Sequence, residues 1–91
     1  MSHIDIKRPH NLSLDKAQNV ADDLARGLAE KFSIVYQWQG DVLNFQRSGV
    51  QGEITVNEDH VHIQAELGFL LSYLKPVVER EINQYLDEHF V

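Results

Sequence analysis

Three stretches of this chain carry residue types that could do chemistry. They are the glycine-spaced run QWQGDVLNFQRSGVQG over residues 37–52, the pair His60-x-His62, and a set of aromatics that ends in Arg47. Glycines close to an arginine and an aspartate suggest a phosphate cradle. Such a cradle needs glycines that lead directly into a helix N-terminus, usually with Lys and Ser or Thr. Here every glycine is followed by alternating strand residues, so the glycines are expected to mark corners. His60 and His62 point to one side of a strand, together with Glu53 and Glu66. Two imidazoles and a carboxylate are a zinc donor set. The sequence forces no third histidine nearby, and solvated histidines are common on a polar sheet face. His60 and His62 are therefore a weak candidate pair, and no metal or other cofactor is expected.

Ser48 precedes Gly49 but lacks the G-x-S-x-G setting of a strained nucleophile turn. The carboxylates fall mainly on wet faces and in turns, so no general acid and base pair forms. No mutually supporting catalytic set is present, and enzymatic activity is not expected.

The aromatics are more informative. Tyr36, Trp38 and Phe45 share one strand face with Arg47. They can be core, with Arg47 at the sheet end or paired with an acidic helix residue. They can also line a small apolar pocket in which Arg47 meets a carboxylate head. His10, in a strand-to-helix connection, reads first as structural or solvated, with a functional role as the alternative. The candidate ligand-binding residues are thus Tyr36, Trp38, Phe45, Arg47 and His10.

Positioning them requires a sheet. HIDIK near the start alternates, with Ile4 and Ile6 on one side and His3, Asp5 and Lys7 on the other. Pro9 ends that strand. From Leu14 the period becomes helical, and Leu14, Ala17, Val20, Ala21, Leu24, Leu28 and Phe32 form one stripe. Ser13 is placed as N-cap, and Asp22 and Arg26 are i,i+4 partners. Gly27 is read as allowing a close helix-sheet approach. From Ser33 to Leu67 the period is two, with turns at 40–41, 48–49 and 58–59. Gly40 takes the first central position of a type II′ turn. These turns pair Trp38 with Leu43, Phe45 with Gly52, and Val56 with Val61. Every apolar residue then stays on one face, and a one-residue slip would destroy the match. The opposite face is polar and expected to be solvated. The last helical stripe runs Leu70, Leu71, Leu74, Val77, Val78, Ile82, Tyr85, Leu86 and Phe90, with Pro76 kinking it or starting its main segment.

The expected fold is therefore α+β, a single domain over residues 1–91 with element order β-α-β-β-β-β-α. A five-stranded antiparallel sheet, order 1-5-4-3-2, packs on two helices in two layers and resembles a reduced helix-grip fold. The 91 residues suffice for one modest core. A net charge of −6 repels phosphate backbones, so nucleic-acid binding is not expected. Without cysteine, disulfides and thiol chemistry are ruled out. No apolar run is long enough to span a bilayer, and MSHIDIKRPH lacks the apolar core of a signal peptide. A cytoplasmic protein is expected. Tyr85, Phe90 and Val91 add apolar surface beyond what the sheet can cover, which suggests a partner or a homodimer.

IDIKRPHNLSLDKA, WQGDVLNFQRSGVQGEITV and ELGFLLSYLKPVVEREINQYLD together resemble the bacterial polyhydroxyalkanoic acid system protein family. The pattern is W-x-G-D-x-L-x-F-x-R-x-G-V-x-G, with a leading H-x-L and a later L-G-x-L-L. The resemblance spans nearly the whole chain. It implies a bacterial cytoplasmic protein, with members sometimes encoded near polyester-storage genes, and it brings no catalytic residues to transfer. The expected function is that of a non-enzymatic accessory protein associated with polyhydroxyalkanoate granule metabolism. It would bind a granule-associated protein or an apolar acyl ligand. The alternative is a small acyl or lipid carrier using the sheet-helix groove.

Overall fold

A computed structural model describes residues 2–89 of the chain. The strands are β1 (Ser2–Pro9), β2 (Val35–Gln39), β3 (Val42–Arg47), β4 (Val50–Val56) and β5 (His60–Leu67). The helices are α1 (Leu14–Phe32) and α2 (Lys75–His89), with a 3-10 turn over Phe69–Leu74 leading into α2. The antiparallel sheet has order β1-β5-β4-β3-β2, as the sequence predicts. Trp38 lies opposite Leu43, Phe45 opposite Gly52, and Val56 opposite Val61. These registers follow from period-two burial, because Leu43, Ile54, Val56, Val61, Ile63 and Leu67 all reach the core. Gly40 has φ +63° and Asp41 stays out of the positive region, which is the sign pattern of a II′ turn.

Both helices cover the apolar face of the sheet. The Ser13 hydroxyl accepts from the Lys16 amide at 3.3 Å and caps α1. Ala17, Ala21, Leu24, Ala25 and Leu28 are buried against the strands. Small residues on this face let the helix sit close to the sheet. Asp22 and Arg26 pair at 2.8 Å, as their spacing predicts. Ile82 and Leu86 of α2 complete the core. Arg8 of β1 ties α2 down through Asp87 at 2.6 Å and Asn83 at 3.1 Å. Among the described residues, no helix is long and apolar enough to cross a membrane.

Two expectations need correction. Gly27 does not face the sheet: it is exposed, and a Cβ built there meets nothing within 4 Å. The alanines at 17, 21 and 25 provide the close approach instead. Gly27→Ala is therefore expected to stabilise the protein by about 0.5–1 kcal/mol, seen as a raised urea midpoint with an unchanged slope.

The second correction concerns the last stripe, which is not one continuous helix. Residues 69–74 wind more tightly, and Leu70 is 81 % exposed rather than part of the core. Pro76 falls in the first turn of α2, where its missing N–H is tolerated. Phe90 and Val91 lie outside the described residues.

Candidate functional site

The aromatic and arginine set on the inner face resolves into ties between β2, β3 and α1. Phe45 is buried, and its ring covers Gly52. Trp38 is half-buried, and its Nε1 donates to Asp22 Oδ1 at 3.0 Å. The other Asp22 oxygen holds Arg26. Arg26 lies above its ordinary range, first through hydrogen bonding and charge interaction with Tyr36, then through Asp22 and Asp23. The polar ends of Tyr36 and Trp38 are thus engaged by α1 at the rim of the core, as amphipathic aromatics usually are.

Arg47 donates through one terminal nitrogen to the Phe32 carbonyl at 2.8 Å. Phe32 is the last residue of α1, and Ser33 beyond it adopts the left-handed conformation at φ 59°. The guanidinium therefore sits at the negative end of the helix dipole and satisfies a terminal carbonyl. Among the described residues, Arg47 forms no ion pair. The space beside it, between Phe32, Val50, Leu71 and Leu74, is only about 20 Å³, room for about one water molecule. In this conformation the sheet-helix groove is filled by side chains.

His10 is 5 % exposed and is, among the described residues, the one buried polar side chain. Its Nδ1 accepts from the Leu12 amide at 3.1 Å. An accepting Nδ1 carries no proton, so Nε2 donates, and it faces the Asn57 carbonyl at 2.9 Å. The His10 amide also donates to the Asp59 carbonyl at 2.9 Å. One residue thus joins the β1–α1 connection to the β4–β5 turn, 47 positions away. The H-x-L spacing has a geometric reason, because the ring reaches the amide two residues on. His10 at one end of α1 and Arg47 at the other pin the helix to the sheet. The two residues most suggestive of ligand contact therefore serve the fold in this structure.

His60 and His62 lie on the outer face. His60 contacts Asp59 at 2.7 Å and Asn57 at 2.9 Å, and His62 contacts Asp5 at 2.7 Å. Asp59 is held below the usual carboxylate range, first by its hydrogen bond to His60. Among the described residues, no group of three or more His, Asp and Glu side chains could hold a metal ion.

Two surfaces go unpredicted by the sequence. The twist of the sheet makes its outer face an open trough of about 790 Å³. Gln37, Gln46, Gln51 and Gln64 line it with Glu53 and Glu66. The alternation that places these side chains outward is legible, but concavity comes from sheet twist and has no local signature.

The second surface is the 3-10 turn. Phe69 is 80 % exposed and Tyr73 71 %, beside Leu70. The Gly68 amide bonds to the Gly49 carbonyl at 2.7 Å, and a Cβ on Gly49 would stand 2.9 Å from Leu71 Cδ1. Two glycines in contact thus let the turn fold inward on Leu71 and outward on its neighbours. The available signal was a charge-free stretch, Phe69–Leu74, set between Gly68 and Pro76. Helical periodicity misplaced Leu70 because a 3-10 turn has three residues per turn, not 3.6.

The profile of a family described as "putative polyhydroxyalkanoic acid system protein" matches residues 4–90. No curated protein matches the chain. A solved structure, the NMR structure of PA4090 from Pseudomonas aeruginosa, superposes with a TM-score of 0.62 at 8 % identity. The match covers 97 % of this chain and 83 % of that one. At that identity the likeness concerns the fold alone.

Proposed function

We propose, since the chain belongs to the polyhydroxyalkanoic acid system protein family, that it is a non-enzymatic accessory protein acting by binding at the polyester granule. The observation that carries this reading is the exposed apolar turn. Phe69, Leu70 and Tyr73 stand out together in water, and contiguous apolar surface of this kind is typical of an interaction site. The partner is apolar, either a granule-associated protein or the polymer surface. A net charge of −6 argues against an anionic lipid surface as the target. The engagement of His10, Asp22 and Arg47 within the fold supports binding over catalysis.

The test is sedimentation with isolated polymer granules. Wild type is expected in the granule fraction. Phe69→Ser with Leu70→Ser is expected to weaken retention tenfold or more, since burying each such side chain contributes roughly 1.5–3 kcal/mol. Both residues are exposed, so the fold should not change. Wild type that stays wholly in the soluble fraction would sink the reading.

A second reading is the acyl carrier. Its support is the apolar lining beside Arg47. Entry of an acyl chain requires Leu71 and Leu74 to lift, because the present space holds about one water. Native mass spectrometry of freshly purified protein distinguishes the two readings, since a carrier arrives with acyl species bound.

A further inference from the structure

The two edges of the sheet differ in a way the fold itself does not require. β1, at one edge, carries Asp5, Lys7 and Arg8 and ends in Pro9, which lacks an N–H. α2 leans on it through Arg8. Charges, proline and a covering helix are the usual protection of an edge strand. β2, at the other edge, reads Val-Tyr-Gln-Trp-Gln. It has no Lys, Arg, Asp, Glu or Pro, and Val35 is 70 % exposed.

The hydrogen-bond phase shows which β2 groups face outward. The Val56 amide donates to the Asp41 carbonyl at 3.1 Å, so the odd-numbered backbone groups at this end of β3 turn toward β4. Antiparallel ladders alternate. Val42, Asn44 and Gln46 therefore turn toward β2, where their partners are Gln39, Gln37 and Val35. That leaves the N–H and C=O groups of Tyr36 and Trp38 turned to the outside. Among the described residues, no further strand lies beyond β2 to satisfy them.

We propose that β2 pairs antiparallel with β2 of a second copy of this chain about a two-fold axis through Gln37. This register is self-complementary. Tyr36 of one copy lies opposite Trp38 of the other, and the outward backbone groups of both are exchanged reciprocally. The inner face gains two aromatic cross-strand pairs, and such pairs are favourable. Val35 is covered by Gln39 of the partner subunit. The occupant is a second copy because the strand is uncharged and matches itself. The guarded β1 edge also explains closure: once two β2 strands pair, both outer edges of the joined sheet are β1, and growth stops. An isologous contact of this kind closes as a dimer rather than a fibre.

Gln37 supplies the test. It is exposed on the outer face and meets its own copy at the axis, in a non-hydrogen-bonded pair with a Cα separation of about 4.5 Å. Sedimentation velocity over a wide concentration range is expected to show wild type moving from the 10.5 kDa monomer to a dimer. Gln37→Lys or Gln37→Glu alone should each weaken that dimer about fivefold through like charges across the axis. An equimolar mixture of the two variants should form the heterodimer and recover at least wild-type affinity. Hydrogen exchange at the Tyr36 and Trp38 amides should slow as concentration rises. Wild type that stays monomeric throughout would overturn the proposal. So would a dimer that neither charged variant weakens, because that dimer uses another surface.

Discussion

His10→Ala is expected to lower the unfolding free energy by about 2–4 kcal/mol, far more than a substitution on the wet faces should. Removing the ring leaves the Asn57 carbonyl and the Leu12 amide without their partner at a partly buried junction. An unsatisfied buried polar group costs about 1–3 kcal/mol; here two partly buried groups lose their partner at once, and the packing of the buried ring is lost with them. A small domain has only about 5–15 kcal/mol in total. The melting temperature should fall by roughly 15 °C. Two rescues separate the ring's functions. Asn at position 10 can accept from the Leu12 amide, and Gln can donate to the Asn57 carbonyl, so each should recover part of the loss. Granule retention of the folded fraction should be unchanged. A His10→Ala protein with wild-type melting and lost granule binding would show that the imidazole serves a ligand.

Gly52→Ala is expected to destabilise by about 2–3 kcal/mol, at the upper end for an added methyl group. The new Cβ would stand 2.5 Å from the Gln64 carbonyl oxygen, 2.6 Å from Phe45 Cζ and 2.9 Å from Ala65 Cα. Two of these three are backbone atoms of β5 and cannot rotate away. Urea unfolding measures the effect. Combining the change with Phe45→Leu removes the ring contact only, so the double variant should recover a minor part of the coupling. A loss under about half a kilocalorie would mean that β4 and β5 separate easily at this point, without the strain expected of an overpacked site.

The sheet was legible because two independent signals agree. Period-two alternation assigns faces, and the lengths of three turns assign partners. Each apolar residue checks the other strands, so an error at one turn shows up along the whole meander. The N-cap at Ser13 and the Asp22–Arg26 pair were legible because they are local. Gly27 was misread because a helical glycine looks alike on either face when it borders the apolar stripe. The roles of His10 and Arg47 were out of reach for a different reason. Each contacts a carbonyl supplied by a distant segment, at Asn57 and Phe32, and a carbonyl leaves no trace in residue type. Side chains that bind backbone look unemployed in a sequence. The exposed turn at Phe69–Leu74 was hidden because its leucines continue the helical stripe in sequence but not in space.

The strand order also has a temporal side. β1 leaves the ribosome before the other four strands, yet its partner β5 begins at His60. At ordinary synthesis rates, roughly 3–12 s pass between the emergence of Ser2 and that of His60. The four strands of the meander can zip in sequence as they emerge, because each meets its neighbour across a short turn. β1 must wait, exposed, for the strand made last. The charges and Pro9 that guard it in the finished sheet are also what a waiting strand needs to stay single. His10, directly after it, then seals the junction only once Asn57 and Asp59 exist, so the bonds of this buried ring record the end of assembly.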